Sequence, residues 1–169
     1  MEICVIPGDG VGKEVIPAAV RVLKAVVPNV QIHYADAGFE HLKSHASPLP
    51  PETIDLAKRC RAVLFGAADS PSYPVEGYFS PIIELRRLLQ TYASIRPTRF
   101  LPVPTSRQGV DLVVIRENTE DLYVVDEQTD PGGQRSTARK IITRSATERV
   151  AHMTYQLARR ADRERVTIV

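Results

Sequence analysis

The stretch Ile3-Cys4-Val5-Ile6-Pro7-Gly8-Asp9-Gly10-Val11-Gly12-Lys13-Glu14-Val15 decides the fold. Its first four residues form a short apolar run, and Pro7-Gly8-Asp9-Gly10 is a turn. Beyond it Val11, Val15, Ile16, Ala19, Val22, Leu23 and Val26 recur on one helical face. Strand, glycine turn and helix in that order open a β-α-β unit. Working outward, strands are predicted at Val30 to Ala35 and Ala62 to Gly66, with a helix at Pro51 to Lys58 that carries its proline in the first turn. Strands that alternate with helices predict an α/β three-layer sandwich: a largely parallel sheet with right-handed crossovers and helices on both faces.

Gly66 to Pro81 is rich in Gly, Pro, Ser and Asp and reads as a loop at the C-terminal edge of that sheet, where ligands bind in such folds. A helix follows from Pro81 to Thr91, then an extended piece from Tyr92 to Arg96. The proline-bearing stretch Pro97 to Gly109 reads as a crossing between domains, which puts a boundary near residue 100. Strands are predicted at Val110 to Arg116, around Leu122 to Asp126 and near Lys140 to Thr143, with a turn at Asp130 to Gly133. A helix from Ala146 to Arg160 then leads to the apolar run Val166 to Val169.

Bulk properties narrow the function classes. A chain of 169 residues can bury a core without disulfides or metal, and 43% hydrophobic with 25% charged residues is ordinary globular composition. No apolar run reaches the about 20 residues that span a bilayer. A net charge of +2, with basic and acidic residues interspersed, argues against a nucleic-acid partner. The N-terminus is strand-like from the start and shows no signal or transit pattern, which favours the cytoplasm. Cys4 and Cys60 stand alone in apolar surroundings and read as buried reduced thiols.

Gly8-Asp9-Gly10-Val11-Gly12 invites a dinucleotide-binding reading, with backbone N–H groups cradling a pyrophosphate at a helix N-terminus. The spacing argues against it, because Lys13 stands where the fingerprint needs its third glycine. A tight turn is the better reading. Three arginines carry more weight. Arg86 lies on the helix among Ile82, Leu85 and Leu89, Arg96 ends the extended piece, and Arg116 ends the apolar Val113-Val114-Ile115 strand. A guanidinium fork matches a carboxylate bidentately, so three at one sheet mouth suit a di- or tricarboxylate. On spacing alone they read equally well as partners of local acids such as Glu84 or Glu117. Tyr123, seven residues after Arg116, has a hydroxyl able to act as a general acid, although a strand tyrosine more often packs.

Ile6-Pro7-Gly8-Asp9-Gly10-Val11-Gly12-Lys13-Glu14-Val15 resembles the opening signature of the β-decarboxylating dehydrogenases, the isocitrate, isopropylmalate and homoisocitrate family. Leu85-Arg86-Arg87 with Tyr92-Ala93-Ser94-Ile95-Arg96-Pro97, and Val114 through Tyr123, resemble its two substrate motifs, and the matches span nearly the whole chain in the family's order. The resemblance implies that Arg86, Arg96 and Arg116 bind the malate-type carboxylates and that Tyr123 protonates the carbon that loses CO2. It places Ser70 near substrate and nicotinamide, and it makes the glycine turn no phosphate site. Residues 1–100 then correspond to the N-terminal part of a large α/β domain, and 101–169 to an incomplete small, dimerising domain.

Specificity in the family is read just before Arg86. Ser80 and Ile82 stand six and four residues ahead of it, where isocitrate enzymes place Ser and Asn, while Ile82 and Ile83 partly imitate the leucines of isopropylmalate enzymes. Ser80 through Arg87, with the Glu117 to Tyr123 turn, looks closest to homoisocitrate dehydrogenases. The resemblance implies NAD or NADP with Mg2+ or Mn2+, both bound mainly by the other half of such an enzyme. The family's metal ligands and base lysine also fall there, the lysine just after a strand matching Val166 to Val169. No residue of this chain is assigned to the metal, so the chain alone is expected to be inactive. The expected partners are a small di- or tricarboxylate and a second subunit. An alternative is a non-catalytic half that associates with a complete subunit.

Overall fold

The computed structural model describes residues 1–169, which form two compact units, Met1–Leu89 and Gln90–Val169. The first runs β1 (Glu2–Gly8), α1 (Gly12–Val26), β2 (Gln31–Tyr34), α2 (Phe39–His45), α3 (Pro51–Arg59), β3 (Ala62–Ala67) and α4 (Pro81–Leu88). Its sheet has the order β2-β1-β3 and is parallel throughout, with Val5 opposite Tyr34 on one side and Leu64 on the other.

The central strand explains the layers. Side chains alternate along β1, so Ile3 and Val5 pack with Ile16 and Val20 of α1 on one face, while Cys4 and Ile6 pack with Ala57 of α3 and Leu85 of α4 on the other. All four β1 side chains are buried, and full burial of an aliphatic side chain contributes about 1.5–3 kcal/mol. A strand covered on both faces reads as a continuous apolar run, as Ile3 to Ile6 does.

The second unit contains β4 (Ala93–Arg99), β5 (Asp111–Glu117), a 3-10 turn at Leu122–Val124, β6 (Glu127–Thr129), β7 (Ser136–Ala138) and α5 (Arg144–Arg160). β4 and β5 form an antiparallel ribbon that pairs Ala93 with Glu117 and Arg99 with Asp111. The face bearing Glu117 and Asp111 is the one α5 lies along. Arg149 reaches Glu117 at 3.7 Å, and Arg163, just past the helix, bonds Asp111 at 2.7 Å. α5 starts at Thr143, whose hydroxyl accepts from the Ala146 N–H at 3.2 Å as an N-cap.

Several expectations are corrected. The division falls between Leu89 and Gln90, not near residue 100, because Tyr92 to Arg99 belongs with β5. β4 continues through Pro97, since a two-stranded ribbon leaves alternate N–H groups on an outer edge where proline is tolerated. The strand expected around Leu122 to Asp126 is a 3-10 turn with Asp121 at φ 67° before it and Val125 at φ 54° after it. Lys140 to Thr143 makes only an isolated bridge, Ile141 to Asp121, and the hairpin strand lies earlier, at Ser136–Ala138. Val166 to Val169 forms no strand. α2 was not expected, and its cause lies thirty residues upstream.

Candidate functional site

Asp9 is 2% exposed and organises the C-terminal edge of the sheet in the first unit. Its Oδ2 accepts from the Phe39 N–H at 2.8 Å and its Oδ1 from the Glu40 N–H at 2.9 Å, so a carboxylate from the β1 turn caps α2 and complements its positive end. Gly38 precedes the helix at φ 130°, where a Cβ would lie 2.4 Å from the Asp9 carboxylate. Oδ2 also accepts from the Asp69 N–H at 2.8 Å. The loop after β3 is thereby tied to the loop after β1.

Ser70 follows directly and is exposed. The Asp69 carbonyl accepts from the Tyr78 hydroxyl at 2.8 Å, and that hydroxyl stands 3.4 Å from Ser70 Oγ. Tyr78 is itself held edge-on against Phe39, with ring centroids 5.6 Å apart. Asp9 and Tyr78 thus grip the backbone beside Ser70 from both sides, and neither role was legible from local sequence. α4 supplies Ile82, Ile83 and Arg86, all half-buried, with Ile82 one turn ahead of Arg86 on the same face. The neighbouring acid Glu84 pairs with Arg87, whose Nε lies 2.9 Å from it, and its carboxyl is held below its ordinary range by that bond.

The glycine turn holds no cradle for a pyrophosphate. A Cβ at Gly12 would meet the Pro7 carbonyl at 2.0 Å and the Ala67 nitrogen at 2.8 Å, so the glycine serves close packing of the β1 and β3 loops. The N-terminus of α1 already faces an anion from the protein. Glu40 accepts from the Gly10 N–H at 3.4 Å and pairs with Lys13. No three His, Cys, Asp or Glu side chains converge to hold a metal ion.

On the ribbon, Ser94 lies opposite Arg116 and Arg96 opposite Val114, which puts Arg96 and Arg116 on one face as diagonal neighbours. That face is opposite the one α5 follows. Arg116 donates to Asn118 Oδ1 at 2.9 Å, and its guanidinium stands 5.6 Å from the centroid of the Tyr123 ring. Asn118 is 7% exposed and reaches back to the Thr91 carbonyl at 3.4 Å. The Glu117 carboxylate closes the turn, accepting from the Thr119 hydroxyl at 2.7 Å and from the Thr119 and Glu120 N–H groups at 2.8 Å each. Burial pushes the Glu117 carboxyl up, but these bonds outweigh it and hold it below the usual carboxylate range. Arg149, which sequence reasoning missed, bonds Gln90 at 3.1 Å and Thr119 at 3.2 Å and covers the Tyr92 ring at 4.2 Å. The local acids offered as alternative partners are therefore engaged with Arg87 and Arg149.

A doubly covered parallel sheet with a gripped loop at its C-terminal edge, and a ribbon that presents two guanidinium groups and a tyrosine on one face, define an α/β protein. The chain belongs to the isocitrate/isopropylmalate dehydrogenase family, whose model matches residues 2–169. It is 46% identical over 92% of its length to an isocitrate/homoisocitrate dehydrogenase of Thermus thermophilus, covering 46% of that protein. It is 41% identical over its full length to a 3-isopropylmalate dehydrogenase of Methanothermobacter thermautotrophicus, covering 49% of it. The crystal structure of isocitrate dehydrogenase from Methylococcus capsulatus superposes with a TM-score of 0.87 at 34% identity, over 96% of this chain and 48% of that one. The chain spans about half the length of the curated relatives it matches.

Proposed function

We propose that these residues form the N-terminal half of an NAD(P)- and divalent-metal-dependent enzyme that oxidatively decarboxylates a 2-hydroxy-3-carboxy acid, with homoisocitrate ahead of isocitrate and 3-isopropylmalate. The observation that carries this reading is Arg116, oriented by Asn118, sharing one ribbon face with Arg96 and standing beside Tyr123. Two guanidinium forks on one face suit carboxylates, and Arg86 on α4 is the third cation of the set. Ile82 and Ile83 are the α4 residues that read the distal part of the acid, and Ser70, on its gripped loop, meets substrate and nicotinamide.

When bound, the nicotinamide accepts the hydride and the metal stabilises the negative charge that develops as CO2 leaves. The residues of this chain bind and orient the carboxylates, and the Tyr123 hydroxyl delivers a proton to the carbon that has lost CO2. Metal ligands and base belong to the other half of the enzyme in this reading, so these 169 residues alone do not turn over.

The test assays the chain with and without a complementary second half, using the three acids with NAD+ or NADP+ and Mg2+. Reduced nicotinamide produced only on complementation, with the highest kcat/KM on homoisocitrate, is the expected result. Activity of the chain alone, or a clear preference for another acid, contradicts the corresponding part of the proposal.

A further inference from the structure

Tyr123 is the middle residue of the 3-10 turn Leu122–Val124, and packing holds that turn weakly, since Leu122 and Val125 are both exposed. Its backbone is unusual at both ends. Asp121 enters the turn at φ 67° and ψ −135°, the values of the first central residue of a type II′ turn, which glycine, asparagine and aspartate dominate. Val125 leaves it in the left-handed region, at φ 54° and ψ 44°, where a β-branched residue is an outlier. Such conformations persist only where the surroundings over-determine them.

The determinants gather at Asp121. Its backbone N–H donates to the Ile141 carbonyl at 2.8 Å, in the isolated bridge between these two residues. Its Oδ1 accepts from the Leu122 N–H at 2.8 Å, so the side chain fixes the peptide that leads into the turn. Its Oδ2 stands 3.2 Å from Lys140 Nζ, an exposed ion pair that adds little by itself. One residue earlier, the Glu120 carboxylate accepts from the N–H and the hydroxyl of Thr143 at 2.7 Å each, while the Glu120 N–H donates to Glu117 at 2.8 Å. Residues 140–143 thus fasten the entry to the turn from one side, and the end of β5 fastens it from the other. Val125 is closed by the 3.2 Å bond from its N–H to the Leu122 carbonyl, inside the turn itself.

We propose that Asp121 is a positioning residue for Tyr123, a role that rests on the reading of Tyr123 as proton donor. Bridged to Ile141 and bonded through its carboxylate to the Leu122 N–H, Asp121 sets the turn that keeps the phenol beside Arg116. A proton donor works only within hydrogen-bond reach of the atom it serves, and a misplacement of about 1 Å can cost about a hundredfold in rate. Asp121→Ala deletes the bond to Leu122 yet keeps a Cβ at φ 67°, so the turn relaxes and carries the phenol away. Glycine takes that φ unaided, and asparagine keeps the oxygen acceptor.

The experiment uses the enzyme completed by its second half, with 3-fluorotyrosine incorporated and the Tyr123 fluorine resonance assigned by its loss in Tyr123→Phe. In Asp121→Ala that resonance shifts or broadens and kcat falls about tenfold or more, with KM within about twofold of native. Asp121→Asn is native in both readouts, and Asp121→Gly falls between. A native Tyr123 resonance in Asp121→Ala overturns the inference, as does an Asp121→Asn enzyme impaired as badly as Asp121→Ala. If Asp121→Ala does not fold, Asp121→Gly against Asp121→Asn decides, and native spectra in both overturn the inference. The proton-donor reading fails separately, through a Tyr123→Phe enzyme of native kcat, and the fluorine resonance then still decides whether Asp121 places the ring.

Discussion

The buried carboxylate of Asp9 holds the backbone N–H of Asp69 at 2.8 Å, joining the turn after β1 to the loop that carries Ser70. The same carboxylate caps α2 through Phe39 and Glu40. Asp9→Ala leaves three N–H groups short of a partner at once. The Phe39 N–H is buried, and a buried orphan costs about 1–3 kcal/mol, while the part-buried Glu40 and Asp69 N–H groups can turn to water, so the first unit should lose about 2 kcal/mol. Asp9→Asn keeps the shape and some of the acceptance, and should cost less. Urea unfolding of both variants checks this, and an Asp9→Ala protein of native stability would remove the structural role assigned to the carboxylate.

This cap also explains what local sequence could and could not tell. β1 and α1 were legible because their apolar periods are set by their own residues. α2 was not, because its start signal, Asp9, is brought to Gly38 only by the fold. The ribbon was half legible: Val113 to Arg116 reads as a strand anywhere, whereas Pro97 argued against β4 until pairing supplied an edge for it. Among the site residues, the arginines and Tyr123 stand out by type. Asn118, Tyr78 and Arg149 act through partners far along the chain, and no spacing marks them.

Glu117 makes the second unit sensitive to acid. Its folded pKa lies below the ordinary value, so its contribution is present above the unfolded pKa of about 4.3 and is lost as pH falls through the folded value. Glu117→Gln should therefore be less stable than the native chain near neutrality and approach it in stability at low pH. Denaturant midpoints measured from pH 7 down to pH 3 check the convergence. Parallel curves would assign the acid sensitivity to other groups.

The two cysteines should be silent in the folded state. Burial, with a smaller contribution from Cys60, raises the Cys4 thiol to about 11, and burial also raises Cys60. The thiolate is the reactive form, so a thiol reagent at neutral pH should label neither residue until denaturant is added. Rapid stoichiometric labelling in native buffer would show that the core around Cys4 opens freely.

Arg116, Asn118 and Tyr123 should separate binding from chemistry in the completed enzyme. Asn118 touches Arg116 and aims its guanidinium, so Asn118→Ala should raise KM for the carboxylate substrate about tenfold, the equivalent of a lost orienting bond of 1–2 kcal/mol, with the larger part of kcat retained. Arg116→Lys keeps the charge but loses the planar fork, and should raise KM at least as much. Tyr123→Phe removes only the hydroxyl. If that group delivers the proton, kcat for the overall reaction should fall by about 10²–10⁴ while KM changes little. The contrast is the test, because a tyrosine that merely packs beside Arg116 would shift KM in step with the Asn118 variant and leave kcat alone.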